Sequence, residues 1–259
     1  MVKQDFDIVI VGAGMVGAAL ACALGAARLR VALIEAKPFS HDWPAESFDQ
    51  RVSAITRASQ NIFTALGAWQ DMVAARISPY RDMHVWDATG NGVIHFDSAD
   101  IGEPLLGHII ENRVIQSALL KRVAELDTIE LITPATIAGF ETQNEQVQVT
   151  LDNGKVINAA LIVGADGGRS PLRELAGIEV QGWSYGQEAV VARIETSGSH
   201  QETAWQRFMP DGPLAFLPLS DGSSSIVWST SPEHARELLG MDDSDFLDAL
   251  QKTFGDQLG

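Results

Sequence analysis

A glycine turn between two apolar strands constrains this chain more than any other feature. Gly12, Gly14 and Gly17 follow the apolar segment Phe6 to Val11 and precede an Ala-rich stretch and a second apolar strand, Val31 to Ile34. In this spacing the first glycine makes the tight turn, the second lets the backbone approach a pyrophosphate, and the third lets helix and strand pack closely. The helix N-terminus then presents free N–H groups and a positive dipole end to the phosphates. The pattern predicts a βαβ unit that binds the ADP part of a dinucleotide.

An acidic residue at the end of the second strand completes this pattern. Glu35 lies roughly 20 residues after the turn, where a carboxylate accepts hydrogen bonds from ribose hydroxyls and repels a 2′-phosphate. The ligand predicted for this site is therefore FAD or NAD rather than NADP. A glycine-bearing turn between strand and helix can also be purely structural, but the two strands and the acid together favour binding.

The uncharged run Ile8 to Ala27 could also be read as a membrane span or a signal sequence. A signal sequence needs a positive segment before it, whereas Met1 to Asp7 carries two aspartates and one lysine. Glycines also interrupt the run where the strand must become a helix. We therefore expect a cytoplasmic protein without a transmembrane segment. Cys22 is the single cysteine, which fits a reducing compartment, and it is expected to be a small buried residue.

The charge balance argues against two classes of partner. The 259-residue chain has 34 acidic and 18 basic residues and a formal net charge of −16. Nucleic acid needs a basic surface, and anionic lipid attracts one, so neither is an expected partner. The six histidines are scattered without a metal-ligand spacing, so no metal is predicted.

Periodicity predicts most of the remaining elements. Glu46 to Arg57 lacks a clear period and is expected to be a loop, followed by one helical pattern from Ala58 to Ala75 that carries Ile62, Leu66 and Trp69. The other predicted elements are a hairpin over Val85 to Phe96, a helix over Arg113 to Leu126, a hairpin formed by Gln146 to Leu151 and Lys155 to Ala159, several strands from Ala189 to Ser229, and two acidic helices over Pro232 to Phe254.

A second glycine cluster indicates a family. The apolar strand Ala160 to Val163 runs into Gly164-Ala165-Asp166-Gly167, followed by Ser170 and Arg173. This stretch resembles the Asp-Gly fingerprint of the flavin-dependent aromatic hydroxylases, the para-hydroxybenzoate hydroxylase type.

Further stretches are similar to one subfamily, the ring hydroxylases of bacterial ubiquinone biosynthesis. They are R-V-S-A-I at 51–55, L-G-A-W at 66–69 and G-H-I-I-E-N at 107–112. Trp205-Gln206, P-D-G-P at 210–213 and A-F-L-P-L at 215–219 lean toward the demethoxyubiquinone hydroxylase branch. The resemblance covers essentially the whole chain.

The resemblance implies roles for particular residues in FAD binding. Gly12, Gly14 and Gly17 would cradle the pyrophosphate, and Glu35 would hold the adenosine ribose. Arg51 looks like the family arginine at the end of a loop that contacts FAD, and its guanidinium suits phosphate geometry. A salt bridge within the loop is the alternative role for this arginine.

Two further residues follow from the same resemblance. Gln116 resembles the flavin-side polar residue on the helix that Arg113 opens, although a solvated helix position would look the same. Asp166 would form hydrogen bonds near the ribityl chain and the pyrophosphate, and the family also implicates this motif in nicotinamide cofactor binding. An ordinary Asp-Gly turn is the alternative for Asp166.

The fold implied is α/β, with a Rossmann-like FAD-binding domain and an antiparallel β-sheet substrate domain. The FAD domain is expected to be discontinuous, over residues 1–78 and 105–180. The substrate domain would comprise residues 79–104 and 181–259. The family has a further Gly-Asp motif and a flavin-facing helix near its C-terminus. The chain reaches Gly259 without either, so we expect a C-terminally truncated and inactive protein.

The implied chemistry is hydroxylation of an aromatic ring. In the family, FAD reduced by NAD(P)H or another reductant reacts with dioxygen to form a hydroperoxide, which attacks an electron-rich phenol or quinol. The expected substrate is a lipid-soluble polyprenyl precursor of ubiquinone. FAD itself carries the difficult step, so no catalytic side chain is named. Phe216, Leu217 and Pro218 are the substrate-contact candidates, and a sheet core would need the same residues.

Two other functions remain open from the sequence. One is an NAD-dependent dehydrogenase that uses the first βαβ unit alone, which leaves the Asp166 motif and the hairpin-rich second half without a role. The other is a non-catalytic binding module of the quinone-biosynthesis assembly. As partners, other ubiquinone-biosynthesis proteins would hold the chain peripherally at the inner membrane face.

Overall fold

A computed structural model gives the arrangement of the chain and describes residues 4–40, 42–44, 46–143 and 145–259. The strands are β1 (Ile8–Val11), β2 (Val31–Ile34), β3 (Val52–Thr56), β4 (Ser78–Tyr80), β5 (Asp82–Asp87), β6 (Val93–Asp97), β7 (Gly107–Glu111), β8 (Ile129–Ile132), β9 (Ile137–Gln143), β10 (Gln146–Leu151), β11 (Val156–Ala159), β12 (Leu161–Gly164), β13 (Glu188–Ile194), β14 (Thr203–Met209), β15 (Gly212–Pro218) and β16 (Ser224–Thr230). The helices are α1 (Met15–Ala26), α2 (Arg57–Leu66), α3 (Trp69–Ala75), α4 (Asn112–Glu125), α5 (Pro171–Leu175), α6 (Pro232–Leu239) and α7 (Asp243–Phe254), with a short 3₁₀-helix at Ser98–Ile101. Residues 1–3 and His41, which entered the signal and metal arguments, lie outside the described residues.

The chain divides into two compact units, each assembled from three stretches. The first unit comprises Met1–Ser47, Asn61–Ala74 and Arg113–Gln181, and the second comprises Phe48–Gln60, Ala75–Asn112 and Gly182–Gly259. Compared with the predicted domains, the second unit also takes in residues 48–60, 75–78 and 105–112, where β3, β7 and β4 form one sheet. The assignment of FAD to one domain and substrate to the other stays a prediction.

A parallel sheet forms the centre of the first unit. Parallel strands are buried on both faces, so they need continuous apolar runs, and all four residues of β2 are buried. The strand order is β12-β1-β2-β8, and every neighbouring pair is parallel. The βαβ unit predicted from the glycine turn is confirmed.

A three-stranded antiparallel sheet, ordered β11-β10-β9, packs in the same unit. Val147, Val149 and Leu151 alternate with more exposed residues along β10, so one face of the sheet joins a core that includes Val9 of β1. The predicted β10–β11 hairpin is confirmed, and Gly154 supplies the positive φ of 82° in its turn. Strand β9 was not predicted.

Helices α1 and α4 belong to the same unit, where α4 confirms the predicted helix. Cys22 of α1 is fully buried, and its Sγ donates to the Leu119 carbonyl of α4 at 3.6 Å. Burial raises the pKa of the Cys22 thiol to about 11, so the group stays protonated at neutral pH. The expectation of a small buried cysteine is confirmed.

The second unit contains a six-stranded sheet ordered β13-β16-β15-β14-β5-β6. Its β14–β5 pair is parallel and its other neighbouring pairs are antiparallel. Helices α6 and α7 cover one face, where Leu214, Phe216 and Trp228 pack against Leu238 and Phe254. The predicted β5–β6 hairpin and the two acidic C-terminal helices are confirmed.

The loop predicted for Glu46 to Arg57 is wrong over its second half. Residues 52–56 form β3, which pairs antiparallel with β7 in a three-stranded sheet ordered β3-β7-β4. Only Ile55 of β3 is buried, so the strand lacks a regular alternation of buried and exposed positions. Its partner lies far along the chain, which periodicity within a short window does not detect.

The single helix predicted over Ala58 to Ala75 is also wrong, because the chain forms two helices there. Gly67 has a φ of 81°, a left-handed conformation that ends α2 before α3 begins. The register differs as well, since Phe63 is buried and Ile62 is 57% exposed.

Membrane crossing needs a helix of about 20 apolar residues. Within the four described ranges, no helix combines the length and the apolar character required.

Candidate functional site

The turn between β1 and α1 requires glycine at two positions. Gly12 has a φ of 100°, and a Cβ there would lie 2.4 Å from the Ala165 carbonyl oxygen. A Cβ at Gly17 would lie 1.8 Å from the Gly12 carbonyl oxygen. The backbones of β1, α1 and the Asp166 loop therefore approach one another more closely than a side chain permits.

Gly14 differs from these two glycines because no described heavy atom beyond its own residue and its two chain neighbours lies within 4 Å of the Cβ that it would carry. It is the N-cap of α1, with a φ of −65° that any residue adopts. A glycine N-cap has no side chain to accept from the first-turn N–H groups, which consequently need another acceptor. The open side of Gly14 is a place where an anion can reach the backbone.

Glu35, directly after β2, holds this turn through its carboxylate. One carboxylate oxygen, Oε2, accepts from the Ala13 backbone N–H at 2.8 Å. The other, Oε1, accepts from the Lys37 backbone N–H at 3.0 Å. A carboxylate oxygen has room for a second donor, so both oxygens retain capacity for ribose hydroxyls.

Gln116 of α4 contacts the same turn from another direction. Its Nε2 donates to the Ala13 carbonyl oxygen at 2.9 Å. The Ala13 residue is thus hydrogen-bonded at both its N–H and its carbonyl, by Glu35 and Gln116 respectively. Sequence reasoning selected both side chains but did not foresee that they meet at Ala13.

Asp166 follows β12 and stabilises the start of α5. Its Oδ2 accepts from the Leu172 N–H at 3.0 Å, while Ser170 caps the same helix by accepting from the Arg173 N–H at 3.0 Å. The Ser-Pro pair at 170 and 171 is an N-terminal helix signal that could have predicted α5. Asp166 is therefore a capping residue as well as a candidate cofactor contact.

These elements surround a cavity of about 380 Å³ within the first unit. Its walls are Val11, Gly12, Gly14, Ile34, Glu35, Ala36, Ala135, Thr136, Ile137, Ala165, Asp166, Gly167 and Pro171. The volume lies in the range of small-molecule sites, and the walls combine apolar surface with a few polar groups. The segment Ala135 to Ile137, which leads into β9, is the wall that sequence reasoning missed.

Not every predicted cofactor residue lines this cavity. Gly12, Gly14, Glu35 and Asp166 do, whereas Gly17 and Gln116 support the turn through backbone contacts. The seventh predicted residue, Arg51, is an exposed residue of the second unit, directly before β3, where its carbonyl accepts from the Asn112 N–H at 2.9 Å.

A second cavity of the first unit, of about 410 Å³, is lined in part by Gly164, Asp166 and Gly167 at the Asp-Gly loop. Its other walls are Phe140, Ile162, Ser170, Leu172, Arg173, Ala176 and Ile178. Asp166 and Gly167 line both cavities, so the Asp-Gly turn stands between two places where a ligand can lie.

The three substrate candidates lie in β15 of the second unit. Phe216 is 3% exposed, and its ring centroid is 4.0 Å from that of Phe254, in the core beneath α7. Leu217 packs instead in a separate cluster with Tyr80 and Ile109. Pro218 is buried at the end of the strand. Their role in substrate binding stays a prediction.

The parallel sheet, the glycine turn and the acid after β2 define a dinucleotide-binding protein. The chain belongs to the FAD binding domain family, which matches residues 5–259.

Curated relatives share a substantial part of the sequence. The ubiquinone biosynthesis monooxygenase COQ6 of Xenopus tropicalis is 40% identical over 96% of this chain and 56% of its own length. The 3-demethoxyubiquinol 3-hydroxylase of Escherichia coli K12 is 37% identical over 100% of this chain and 66% of its own length. The ubiquinone hydroxylase UbiL of Rhodospirillum rubrum is 36% identical over 98% of this chain and 58% of its own length.

Solved structures support the fold. The probable FAD-dependent monooxygenase PqsL of Pseudomonas aeruginosa superimposes with a TM-score of 0.82 at 21% identity, over 97% of this chain and 68% of that one. The p-nitrophenol 4-monooxygenase PnpA of Pseudomonas putida gives a TM-score of 0.74 at 16% identity, over 97% of this chain and 62% of that one. The predicted fold class, a parallel-sheet FAD-binding region with antiparallel sheets, is confirmed.

The chain spans between 56% and 66% of the length of these three curated relatives. The activity of the whole relatives is therefore only proposed for this chain.

The cavity residues fit the ADP half of FAD. Gly14 leaves open space beside the uncapped N-terminus of α1, which suits a pyrophosphate. Glu35 lines the same cavity with capacity for ribose hydroxyls, and Ala135 and Ile137 offer apolar surface for a purine ring.

Proposed function

We propose that the protein is an FAD-dependent monooxygenase that hydroxylates the aromatic ring of a polyprenyl phenol or quinol in ubiquinone biosynthesis. The observation that carries this proposal is the 36–40% identity to relatives named as ubiquinone biosynthesis monooxygenases or hydroxylases, over at least 96% of the chain. The branch is a finer proposal. The demethoxyubiquinol hydroxylase name belongs to one relative, and COQ6 proteins match at similar identity.

In this proposal the first unit holds the ADP part of FAD. Gly12 and Gly17 set the close backbone approach, Gly14 faces the pyrophosphate, and Glu35 accepts from the ribose. Arg51 contributes a guanidinium to the cofactor, and Asp166 binds near the ribityl chain and pyrophosphate. When bound and reduced, FAD activates dioxygen for transfer of one oxygen atom to the ring.

The protein's remaining task is to orient the ring and exclude water. Of the three substrate candidates, Leu217 is the one we favour, because it packs away from the core beneath α7 that holds Phe216. The electron donor is NAD(P)H or another reductant, for which the second cavity beside Asp166 is a candidate site. Other ubiquinone-biosynthesis proteins are proposed as partners that give access to the membrane-dissolved substrate.

A complementation experiment tests the activity. The protein, expressed as its gene encodes it in a strain that lacks its own ring hydroxylase, should restore ubiquinone synthesis in air. Asp166→Ala should fail, because it removes both the carboxylate at the cavity and the cap on the Leu172 N–H. Asp166→Asn retains an acceptor for that N–H and should keep the native melting temperature, which separates loss of the charge from loss of α5.

The two other functions predict different results for the purified protein. A dehydrogenase would purify without bound yellow flavin and would oxidise or reduce a substrate with NAD. A non-catalytic binding module would carry flavin or partners but give no ring hydroxylation. Flavin-loaded protein that does not hydroxylate a quinone precursor would show that the family relation holds for the fold and not for the substrate.

Glu35→Ala should weaken FAD binding by about 1–3 kcal/mol, because it removes charged hydrogen bonds to the ribose and the acceptor of the Ala13 N–H. Titration of the apoprotein with FAD, followed by flavin fluorescence or calorimetry, measures the change. Glu141→Ala removes an exposed carboxylate from β9 and serves as the control, with no expected effect on affinity. An unchanged dissociation constant for Glu35→Ala would contradict the ribose role.

A further inference from the structure

Gln116 occupies a position from which it controls the backbone of the glycine turn. Its Nε2 lies 2.9 Å from the Ala13 carbonyl oxygen, and the two residues are 103 positions apart in sequence. A carbonyl oxygen only accepts, so the Gln116 amide must present its NH₂ group to Ala13. The hydrogen bond is partly buried, where water competes less well for the carbonyl.

The peptide that joins Ala13 to Gly14 turns this contact into a constraint on Gly14. This peptide is trans, so the Ala13 carbonyl and the Gly14 N–H point in opposite directions from one plane. A hydrogen bond that fixes the carbonyl on one side fixes the N–H on the other side. Gln116 therefore determines where the Gly14 N–H points.

The turn needs such a restraint because of its composition. Gly12 and Gly14 flank Ala13, and glycine has the largest backbone freedom of any residue. Glu35 restrains the preceding peptide through the Ala13 N–H at 2.8 Å. Gln116 restrains the following peptide, so each of the two peptides has one side-chain partner.

Gln116 acts from outside the first cavity. Gly12, Gly14 and Glu35 line that cavity, and Gln116 is not among its walls in the described part of the chain. The geometry points to a positioning role: we propose that Gln116 orients the Gly14 N–H for the FAD pyrophosphate through its hydrogen bond to the Ala13 carbonyl. This inference rests on the proposed FAD site.

Two substitutions separate the donor from the shape of the side chain. Gln116→Met keeps the length of the side chain but removes the N–H donor. Gln116→Glu keeps the shape but, when ionised, offers only oxygen atoms to the Ala13 carbonyl, which repels it. The matched controls are Gln70→Met and Gln70→Glu, at an exposed position of α3 in the same unit.

Affinities for FAD and for ADP, measured by calorimetry on the apoprotein as its gene encodes it, give the main test. We expect Gln116→Met to weaken both ligands by roughly three- to tenfold, the size of one net hydrogen bond. Gln116→Glu should weaken both by more than about tenfold at pH 8, because repulsion adds to the lost donor. The Gln70 variants should bind as the natural protein does.

The Gln116→Glu variant also predicts a pH dependence that the natural protein lacks. A protonated carboxyl donates an O–H, so the variant should recover affinity as the pH falls. Partial burial beside a carbonyl oxygen raises the pKa of a carboxyl above its usual value of about 4.3. The ratio of variant to natural affinity should therefore rise between pH 8 and pH 5.5, whereas Gln116→Met should show no such recovery.

Backbone hydrogen exchange in the ligand-free protein adds a measurement that does not depend on FAD. Exchange of the Gly14 amide should become faster in Gln116→Met than in the natural protein, with the melting temperature lowered by only about 2–4 °C. Unchanged exchange together with unchanged affinities would overturn the positioning role. Weaker FAD binding with unchanged ADP binding would also overturn it, because it would place Gln116 against the flavin. Failure of the natural protein to bind FAD would instead refute the proposed function, while the exchange result would still decide the effect on the turn.

Discussion

A Gly14→Val variant should fold as the natural protein does and should purify without flavin. Valine adopts the φ of −65° found at Gly14, and no described heavy atom beyond the residue itself and its two chain neighbours lies within 4 Å of its Cβ position. The cost to the fold is limited to a poorer N-cap on α1, by up to about 1 kcal/mol. The branched side chain would occupy the space through which a pyrophosphate reaches the N–H groups of α1.

Absorbance at 450 nm per mole of purified protein and the thermal unfolding curve measure the two parts of this prediction. Gly139→Val is the matched control, because Gly139 lies in β9 of the same unit and also has open space at its Cβ position. It lies outside the walls described for either cavity of the first unit, so flavin content should not change. Normal flavin content in Gly14→Val would place the phosphate site elsewhere.

The first βαβ unit was predictable because each of its residues has a local physical reason. Continuous apolar runs gave β1 and β2, and the spacing of Gly12, Gly14 and Gly17 gave the turn between strand and helix. The β10–β11 hairpin was predictable in the same way from its Asp-Asn-Gly turn. In each case the sequence signal and the structure it specifies lie within a few residues of each other.

Strand β3 and the break between α2 and α3 show where such reasoning stops. Val52–Thr56 has no alternation of its own and becomes a strand because it pairs with Gly107–Glu111. Strand propensity depends on such cross-strand neighbours more than on the backbone itself. Gly67 could have indicated the helix break, since glycine commonly ends helices in a left-handed conformation.

In the candidate site, too, local sequence indicated some residues, and others were found only in the folded chain. The glycine turn at Gly12 and the acid Glu35 were readable from the sequence, because their chemistry matches phosphates and ribose, whereas Asp166 was selected through the family resemblance. The contact of Gln116 with Ala13, and the wall formed by Ala135 to Ile137, were not readable, because separate elements meet there only in the folded chain. The sequence therefore predicts which groups can bind, and the fold determines which group positions another.

Gly17→Val should fail to fold, although it lies on the same helix as Gly14 and introduces the same side chain. A Cβ at Gly17 would lie 1.8 Å from the Gly12 carbonyl oxygen and 3.2 Å from the Ala165 Cβ. The first of these atoms belongs to the backbone of the turn, so no side-chain rotation relieves the clash. Helix α1 would have to move away from β1 and β2, which uncovers fully buried residues such as Ile10 and Leu33 on the sheet face opposite Val9 and Ile34.

Because overpacking of this kind costs about 1–3 kcal/mol or more, we expect Gly17→Ala to lower the free energy of unfolding by at least about 3 kcal/mol. That loss corresponds to a fall in melting temperature of roughly 6–12 °C, and the bulkier Gly17→Val should not yield soluble folded protein. Differential scanning calorimetry of the ligand-free variants measures the effect without any contribution from FAD. A Gly17→Ala variant with the native melting temperature would mean that α1 and β1 pack less closely than the geometry requires. In that event the third glycine would have no structural need here, and the contrast between Gly14 and Gly17 on which the cofactor site rests would be lost.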